Sequence, residues 1–341
     1  MASTRHHSDA SWPLSSLHYG GKTGSNLVTF ILNKLSFQDD ARVQLSKVIL
    51  FHKRSTYELR AIEFRDSRFI QLLEQEHMAV RSVKKSHSEH TSTLEKLSQE
   101  LKARKISFKT ITRSSLNHKI ENIDLLISVG GDGTFLDASH YLDTVPILGV
   151  NSALSTSFGH FCLTNENTFG CVIDNIESQK LPMVNLMRLT VFLNGQALPF
   201  LALNEVLIAH KNPAATSRYI ISTKSHQEEH LSSGIWIATA AGSTGSLRAA
   251  GAQVLPITSR QFQFFVREPC IRPGDKKQLL RGTLDEGEEI KFISQMRQGT
   301  IFVDGQHIEY PFTVGDEVVL KASNVDLHAF VDPQVNKRFL C

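Results

Sequence analysis

The feature that most constrains this chain lies at residues 127–136. An apolar run, Ile127-Ser128-Val129, passes directly into Gly130-Gly131-Asp132-Gly133-Thr134 and then into helix-like sequence at Phe135-Leu136. A strand that ends in glycines and restarts as a helix fits an open α/β sheet, where ligands gather at the carboxyl ends of the strands. Glycine permits φ > 0 and lets backbone N–H groups approach a phosphate, and the helix N-terminus that follows favours negative charge. A carboxylate at that edge, Asp132, could take a proton from a hydroxyl nucleophile during phosphoryl transfer. The same residues would also make a tight strand-to-helix turn with Asp132 as its N-cap. The remainder of the sequence has to decide between the two.

Upstream, residues 48–51 (Val-Ile-Leu-Phe) form a short apolar run closed by His52-Lys53-Arg54-Ser55, which predicts a buried strand. Residues 69–105 read as helical, with Leu94, Leu97 and Leu101 on one face and the pair Glu100 and Arg104 on the other. Strand-like runs at 106–111, 123–129 and 145–150 complete an alternation that predicts an α/β N-terminal domain with a mainly parallel, doubly wound sheet. After about Asn165 helical periodicity fades and short apolar runs recur between turn signals. Residues 188–193 end at Asn194-Gly195, a strong hairpin signal, and strands are expected at 200–209, 219–223, 235–240, 261–267, 289–293, 300–303 and 317–320. Asp304-Gly305 turns the chain between two of these runs. The expectation is a mostly β C-terminal domain. Its organisation reads as a partly disordered extension over 1–40, an α/β domain over 41–160, a mostly β domain over 161–331 and a tail over 332–341.

Composition narrows the function. Lys+Arg 37 against Asp+Glu 34 leaves +3, too balanced for the basic field a nucleic-acid partner calls for. No stretch approaches the roughly 18 uninterrupted apolar residues of a membrane helix, so no membrane partner is expected. The four cysteines, Cys162, Cys171, Cys270 and Cys341, form no CxxC pair and there is no paired histidine spacing, so no structural zinc site and no protein metal ligand is expected. Free thiols in a reducing, cytoplasmic setting fit best, and the polar, Ser/His-rich first residues leave organelle targeting open.

Two further places could carry chemistry. Asn204-Glu205 sits inside an apolar run, where a carboxamide and a carboxylate are costly to bury without partners, so a ligand's hydroxyls or ring nitrogens could supply them; an exposed edge pair would read the same way. Thr239-Ala240-Ala241-Gly242-Ser243-Thr244-Gly245-Ser246 follows a strand with small and hydroxyl residues that could wall a pocket for a planar base, or simply turn the chain. Arg218 could meet a pyrophosphate, although a lone surface arginine is more often a solvated charge, and Lys53 and Arg54 could approach a triphosphate or simply belong to a solvated loop. His160 beside Phe161 fits a rim or core histidine.

Over residues 47–331 the sequence resembles the NAD kinases, ATP-dependent enzymes that phosphorylate the 2′-hydroxyl of the adenosine ribose of NAD(H). The resemblance is carried by Gly130-Gly131-Asp132-Gly133-Thr134, Asn204-Glu205, Gly242-Ser243-Thr244 and Val303-Asp304-Gly305-Gln306. It implies that Asp132 is the general base. Gly131 and Gly133 would face the phosphates, Asn204 and Glu205 would hold the dinucleotide, and Thr239, Ala241, Ser243, Thr244 and Ser246 would line the adenine-ribose pocket, with Thr134, Asn151 and Arg218 as further candidate binding residues. It also implies ATP as donor, Mg²⁺ as the nucleotide's counterion, NAD or NADH as acceptor, and a homodimer or homotetramer. The 41–160 region would then bind nucleotide and the 161–331 region dinucleotide.

Departures from the commoner members bear on the acceptor. Ser233-Gly234 replaces Asp-Gly, the third motif lacks its usual tyrosine, and residues 151–160 keep little beyond Asn151 and a displaced Gly159. Ser232-Ser233-Gly234 and Ala240-Ala241-Gly242-Ser243-Thr244 are similar to the branch that includes plant NADH kinases. Two alternatives share parts of this pattern: a catalytically silent dinucleotide sensor, and a lipid kinase of the diacylglycerol type with a related Gly-Gly-Asp-Gly turn.

Overall fold

The computed structural model describes residues 43–116, 118–155 and 158–333, so the expected 1–40 extension and residues 334–341 of the tail lie outside the described residues. The first half builds a seven-stranded sheet. Its strands are β1 (Lys47–His52), β2 (Ser107–Thr112), β3 (Leu125–Gly130), β4 (Ile147–Asn151), β5 (Cys162–Asn165) and β6 (Val184–Leu186), joined by a last strand at Leu327–Phe330. β1, β2, β3, β4 and β5 run parallel. β3 and β4 are buried at every position, as central strands covered on both faces must be.

Helices α1 (Ser67–Glu74), α2 (Val83–Ala103), α3 (Asp132–Ser139) and α4 (Phe169–Glu177) accompany this sheet. Leu97 and Leu101 of α2 and Val172 and Ile173 of α4 pack with Leu50 and Ile127 in one core. Phe135 and Ala138 of α3 pack with Leu126 and Ile147 in another. The long helical pattern expected over 69–105 is divided, because Glu76 adopts a left-handed φ of 48° and a 3₁₀ turn at Met78–Val80 follows. Asp66 Oδ1 caps α1 by accepting from Phe69 N at 3.0 Å. Helical structure also continues beyond Asn165. α4 buries Phe169, Val172, Ile173 and Ile176, the i, i+3, i+4, i+7 set of a half-covered helix.

The second half is antiparallel. Its strands are β7 (Leu189–Leu193), β8 (Gln196–Ala197), β9 (Glu205–His210), β10 (Ser217–Ser222), β11 (Gln227–Ser232), β12 (Ile235–Thr239), β13 (Phe262–Val266), β14 (Arg281–Leu284), β15 (Glu289–Ser294), β16 (Gly299–Val303), β17 (Ile308–Phe312) and β18 (Glu317–Ala322). They form two sheets, ordered β11-β10-β15-β18-β7-β8 and β14-β13-β12-β9-β16-β17. Between them lies a core in which Val206, Ile237 and Phe262 meet Tyr219, Phe292 and Leu320. Asn194 and Gly195, at φ 50° and 79°, make the two-residue turn from β7 to β8. α5 (Ser246–Ala249) is a single short turn after β12.

β19 (Leu327–Phe330) brings the chain back to the parallel sheet, pairing parallel with β4 and antiparallel with β6. Arg188, just after β6, pins this crossing. Its fully buried guanidinium donates to the Val325 carbonyl at 3.0 Å and the Asp326 carbonyl at 3.2 Å, where the chain returns. It also donates to the Ser139 and Leu142 carbonyls at 3.2 and 2.8 Å, at and just past the C-terminus of α3. Burial pulls its pKa down to about 10, yet the group stays charged at neutral pH. Cys162 and Cys270 carry the expected thiols, whereas Cys171 is disulfide-bonded, contrary to the expectation of thiols throughout. No helix among the described residues is long and apolar enough to cross a membrane.

Candidate active site

β3 delivers the backbone to Gly130, and α3 starts two residues later at Asp132. Gly130 has no room for a side chain, since a Cβ would lie 2.2 Å from Thr134 Oγ1. Thr134 is folded under the turn, and its buried Oγ1 has no hydrogen-bond partner. Gly133 faces open space instead, with nothing within 4 Å of an added Cβ. Gly131, not Asp132, takes the N-cap position, so the plain capping role for Asp132 does not hold. Asp132 sits in the first helical turn, and its Oδ1 accepts from Phe161 N at 2.7 Å.

Two cavities meet at Asp132. The larger, about 880 Å³, is walled by His160, Phe161, Asn204, Thr244 and Arg248 together with Asp132. The smaller, about 450 Å³, is lined by Lys53, Ser86, His90, Gly131, Gly133 and Ser152, and again by Asp132. A carboxylate shared by two cavities can face a group in each, which is the arrangement a transfer between two bound molecules requires.

The wall at Asn204 is held by a buried carboxylate. Asp304 Oδ1 accepts from Asn204 N at 2.7 Å and from Glu205 N at 3.0 Å, while Oδ2 accepts from Leu203 N at 2.8 Å and lies 2.9 Å from His140 Nε2. The Asp304 side chain is completely buried. Its own backbone takes a left-handed φ of 48° ahead of Gly305 at 112°, which turns the carboxylate inward from the β16–β17 hairpin. Thr239 braces the same segment, its hydroxyl donating to the Leu203 carbonyl and its amide to the Asn204 carbonyl at 3.1 Å. Gly242 lies against it so closely that a Cβ would sit 2.0 Å from the Asn204 carbonyl oxygen.

Fixed in this way, Asn204 lines the larger cavity and its Nδ2 donates to Glu205 Oε2 at 2.6 Å. Glu205 is buried, not an exposed edge carboxylate. Burial first, and the Asp304 carboxylate second, push its pKa up to about 7. Opposite, Thr244 Oγ1 lies 3.0 Å from His160 Nε2, so the third motif and the loop after β4 meet across the cavity.

The other expected site residues fall in varied places. Ser243 is buried, its hydroxyl donating to the Ala240 carbonyl at 2.7 Å and accepting from Leu255 N at 2.9 Å. Ala241 belongs to the core beneath, and Ser246 is exposed at the start of α5. Asn151 is buried at the end of β4, where Oδ1 accepts from Ala153 N at 3.2 Å. Arg218 is exposed on β10 and lines neither cavity. Lys53 reaches the smaller cavity, while Arg54 pairs with Glu63. Sequence reasoning assigned no role to Asp304 and passed over His90 and Arg248. The helix carrying His90 was visible only as a cover for the sheet, and Arg248 follows the third motif by a few residues.

Residues 30–179 match the family model described as ATP-NAD kinase N-terminal domain. A probable NADH kinase of Oryza sativa subsp. japonica is 35% identical over 256 residues, covering 68% of this chain and 78% of the relative. The fold is similar to an NAD kinase from Archaeoglobus fulgidus, solved in complex with ATP, at TM-score 0.61 and 20% identity, covering 86% of this chain and 95% of that one. It is similar too to yeast NADH kinase complexed with NADH, at TM-score 0.61 and 16% identity, covering 87% and 86% of the two chains. With a Gly-Gly-Asp-Gly turn between two cavities, and a relative of this identity matched over most of its length, the chain belongs to the NAD kinase family.

Proposed function

We propose that this protein is an ATP-dependent NAD(H) kinase that moves the γ-phosphoryl group of ATP to the 2′-hydroxyl of the adenosine ribose of NAD or NADH, giving NADP(H) and ADP. The observation that carries this reading is the position of Asp132 at the junction of the two cavities. The dinucleotide occupies the larger one, its adenosine half between Asn204 and Thr244. The donor's phosphates lie along Gly131 and Gly133 in the smaller one, where backbone N–H groups at the start of α3 and Lys53 offset their charge. Asp132 accepts the ribose proton as the oxygen attacks phosphorus in line. The relatives named NADH kinase support the reduced dinucleotide as the preferred acceptor. Nothing in the two cavities favours the silent sensor or the lipid kinase.

Magnesium enters as the counterion of the donor, because it binds phosphate oxygens and waters in preference to an all-protein cage. This chain's part is to receive the nucleotide that carries the ion, along Gly131 and Gly133 in the smaller cavity, and no side chain is assigned to the ion itself. The outer face of one antiparallel sheet supports the homo-oligomer. Phe265, Trp236, Leu207 and Phe302 sit side by side across four strands, half-exposed, with Arg281 next to Phe265 at one end and Glu309 next to Phe302 at the other. A two-fold axis through this row would set each charge against its opposite in a second copy. The thiols of Cys162 and Cys270 support a cytoplasmic setting.

The test is Asp132→Asn assayed with ATP and each dinucleotide. NADP(H) formation should fall about 10² to 10⁴-fold, the usual contribution of a general base, with the fold intact by circular dichroism. Near wild-type turnover in the folded variant would overturn the mechanism.

A further inference from the structure

Of the residues that line the larger cavity, Arg248 is the one arginine or lysine and Asp132 the one carboxylate. Arg248 lies on α5, a turn beyond Gly245, the N-cap that lines the same cavity, while Leu247 beside it is completely buried and anchors the turn in the fold. The Arg248 side chain is exposed and, among the described residues, has neither an ion pair nor a hydrogen bond. Much of the remaining wall, including Leu136, Phe161, Val254, Leu255 and Ile257, is apolar. The other basic groups weighed for phosphates lie elsewhere: Lys53 belongs to the smaller cavity, Arg54 pairs with Glu63, and Arg218 lines neither cavity.

We propose that Arg248 is a dinucleotide-binding residue whose guanidinium grips the pyrophosphate joining the two halves of the acceptor. This rests on the kinase reading above and adds a residue to it. The pyrophosphate brings two negative charges into a cavity that already holds the Asp132 carboxylate, and apolar walls offer few dipoles in place of water. A cation at the cavity's edge offsets part of that charge, and Arg248 is the only arginine or lysine on the wall able to do so. A guanidinium suits the task because its planar fork gives two parallel N–H bonds to phosphate oxygens. With no carboxylate to leave first, Arg248 turns to the ligand at the cost of its side-chain freedom alone.

Two substitutions separate charge from shape. Arg248→Met keeps an unbranched apolar stem without the charge, and Arg248→Lys keeps the charge without the fork. Each purified full-length protein is titrated calorimetrically with ADP-ribose, which has the pyrophosphate but no nicotinamide, and with adenosine, which has no phosphate. Steady-state rates are measured with ATP and NADH varied separately. Arg248→Met should weaken ADP-ribose binding and raise the KM for NADH by about tenfold, the worth of one charge-assisted pair less the cost of ordering an exposed side chain. Adenosine binding and the KM for ATP should stay within about twofold, and Arg248→Lys should recover part of the loss. Because the pair is open to solvent, the difference between wild type and Arg248→Met should shrink as salt is raised from about 0.05 to about 0.5 M. Unchanged ADP-ribose binding in Arg248→Met, an equal loss for adenosine, or a KM for ATP that rises in step with that for NADH would overturn the inference. A protein whose ADP-ribose binding needs Arg248 and which makes no NADP(H) would uphold it while refuting the kinase reading.

Discussion

Replacing Glu205 by glutamine should make the protein more stable, and the gain should depend on pH in a calculable way. The carboxyl is buried and its pKa stands at about 7 in the folded protein against an ordinary 4.5. Between these values the folded state holds a proton that the unfolded chain has released, so stability falls as pH rises through the interval and levels off above about pH 7. The difference, 7 − 4.5 = 2.5, at about 1.4 kcal/mol for each pH unit, amounts to about 3 kcal/mol lost by pH 8.5 and little lost by pH 5. Glu205→Gln keeps the shape and can still accept from Asn204 Nδ2, but it has no proton to lose. Urea unfolding of both proteins at pH 5 and pH 8.5 checks the argument, because every other titrating group is common to the two. The variant should gain about 2–3 kcal/mol relative to wild type at pH 8.5 and under 1 kcal/mol at pH 5. An equal difference at both pH values would refute the idea that ionisation of a buried carboxyl sets the cost.

Other outcomes follow from packing. Arg188→Met fills much of the volume but removes four hydrogen bonds to backbone carbonyls, and at about 1 kcal/mol each the loss should be about 4 kcal/mol by denaturant unfolding. Gly242→Ala and Gly133→Ala should behave in opposite senses. The first drives a methyl group into the Asn204 carbonyl and should lower both stability and dinucleotide affinity, read by unfolding and by calorimetry with NADH. The second meets open space within the protein and should leave stability nearly unchanged while raising the KM for ATP, because the methyl stands where the phosphates approach.

The sequence carried much of the fold where one local pattern decides one element. The apolar runs at β1, β3 and β4 and the turns at Asn194-Gly195 and Asp304-Gly305 all read directly, since each rests on neighbouring residues alone. The break in the helical stretch at Glu76 did not, because a left-handed glutamate has no compositional signature. Phe169, Val172, Ile173 and Ile176 did carry a helical period, but nine residues is little signal amid β-like texture. At the site, Asp132 stood out as a carboxylate among glycines, and Asn204 and Glu205 as polar groups inside an apolar run. Asp304 and His90 matter through partners about a hundred and about sixty residues away, which no spacing along the chain reveals. For Thr239, Ser243 and Ala241 the motif was visible, but whether a small residue lines a cavity or braces its wall depends on the packing behind it.

The return of the chain at β19 bears on how the molecule is made. Next to β3 on one side and β5 along its last residues, β4 receives its remaining parallel neighbour, Ala329 and Phe330 against Ile147 and Leu148, only after all the strands from β7 to β18 have been synthesised. Closing so large a loop is slow, and until it happens the start of β4, at Ile147 and Leu148, keeps an open hydrogen-bonding edge. On the ribosome, therefore, the half that bears the glycine turn emerges first yet is finished last, and it is the stage at which a chaperone or a stray strand would find this protein most receptive.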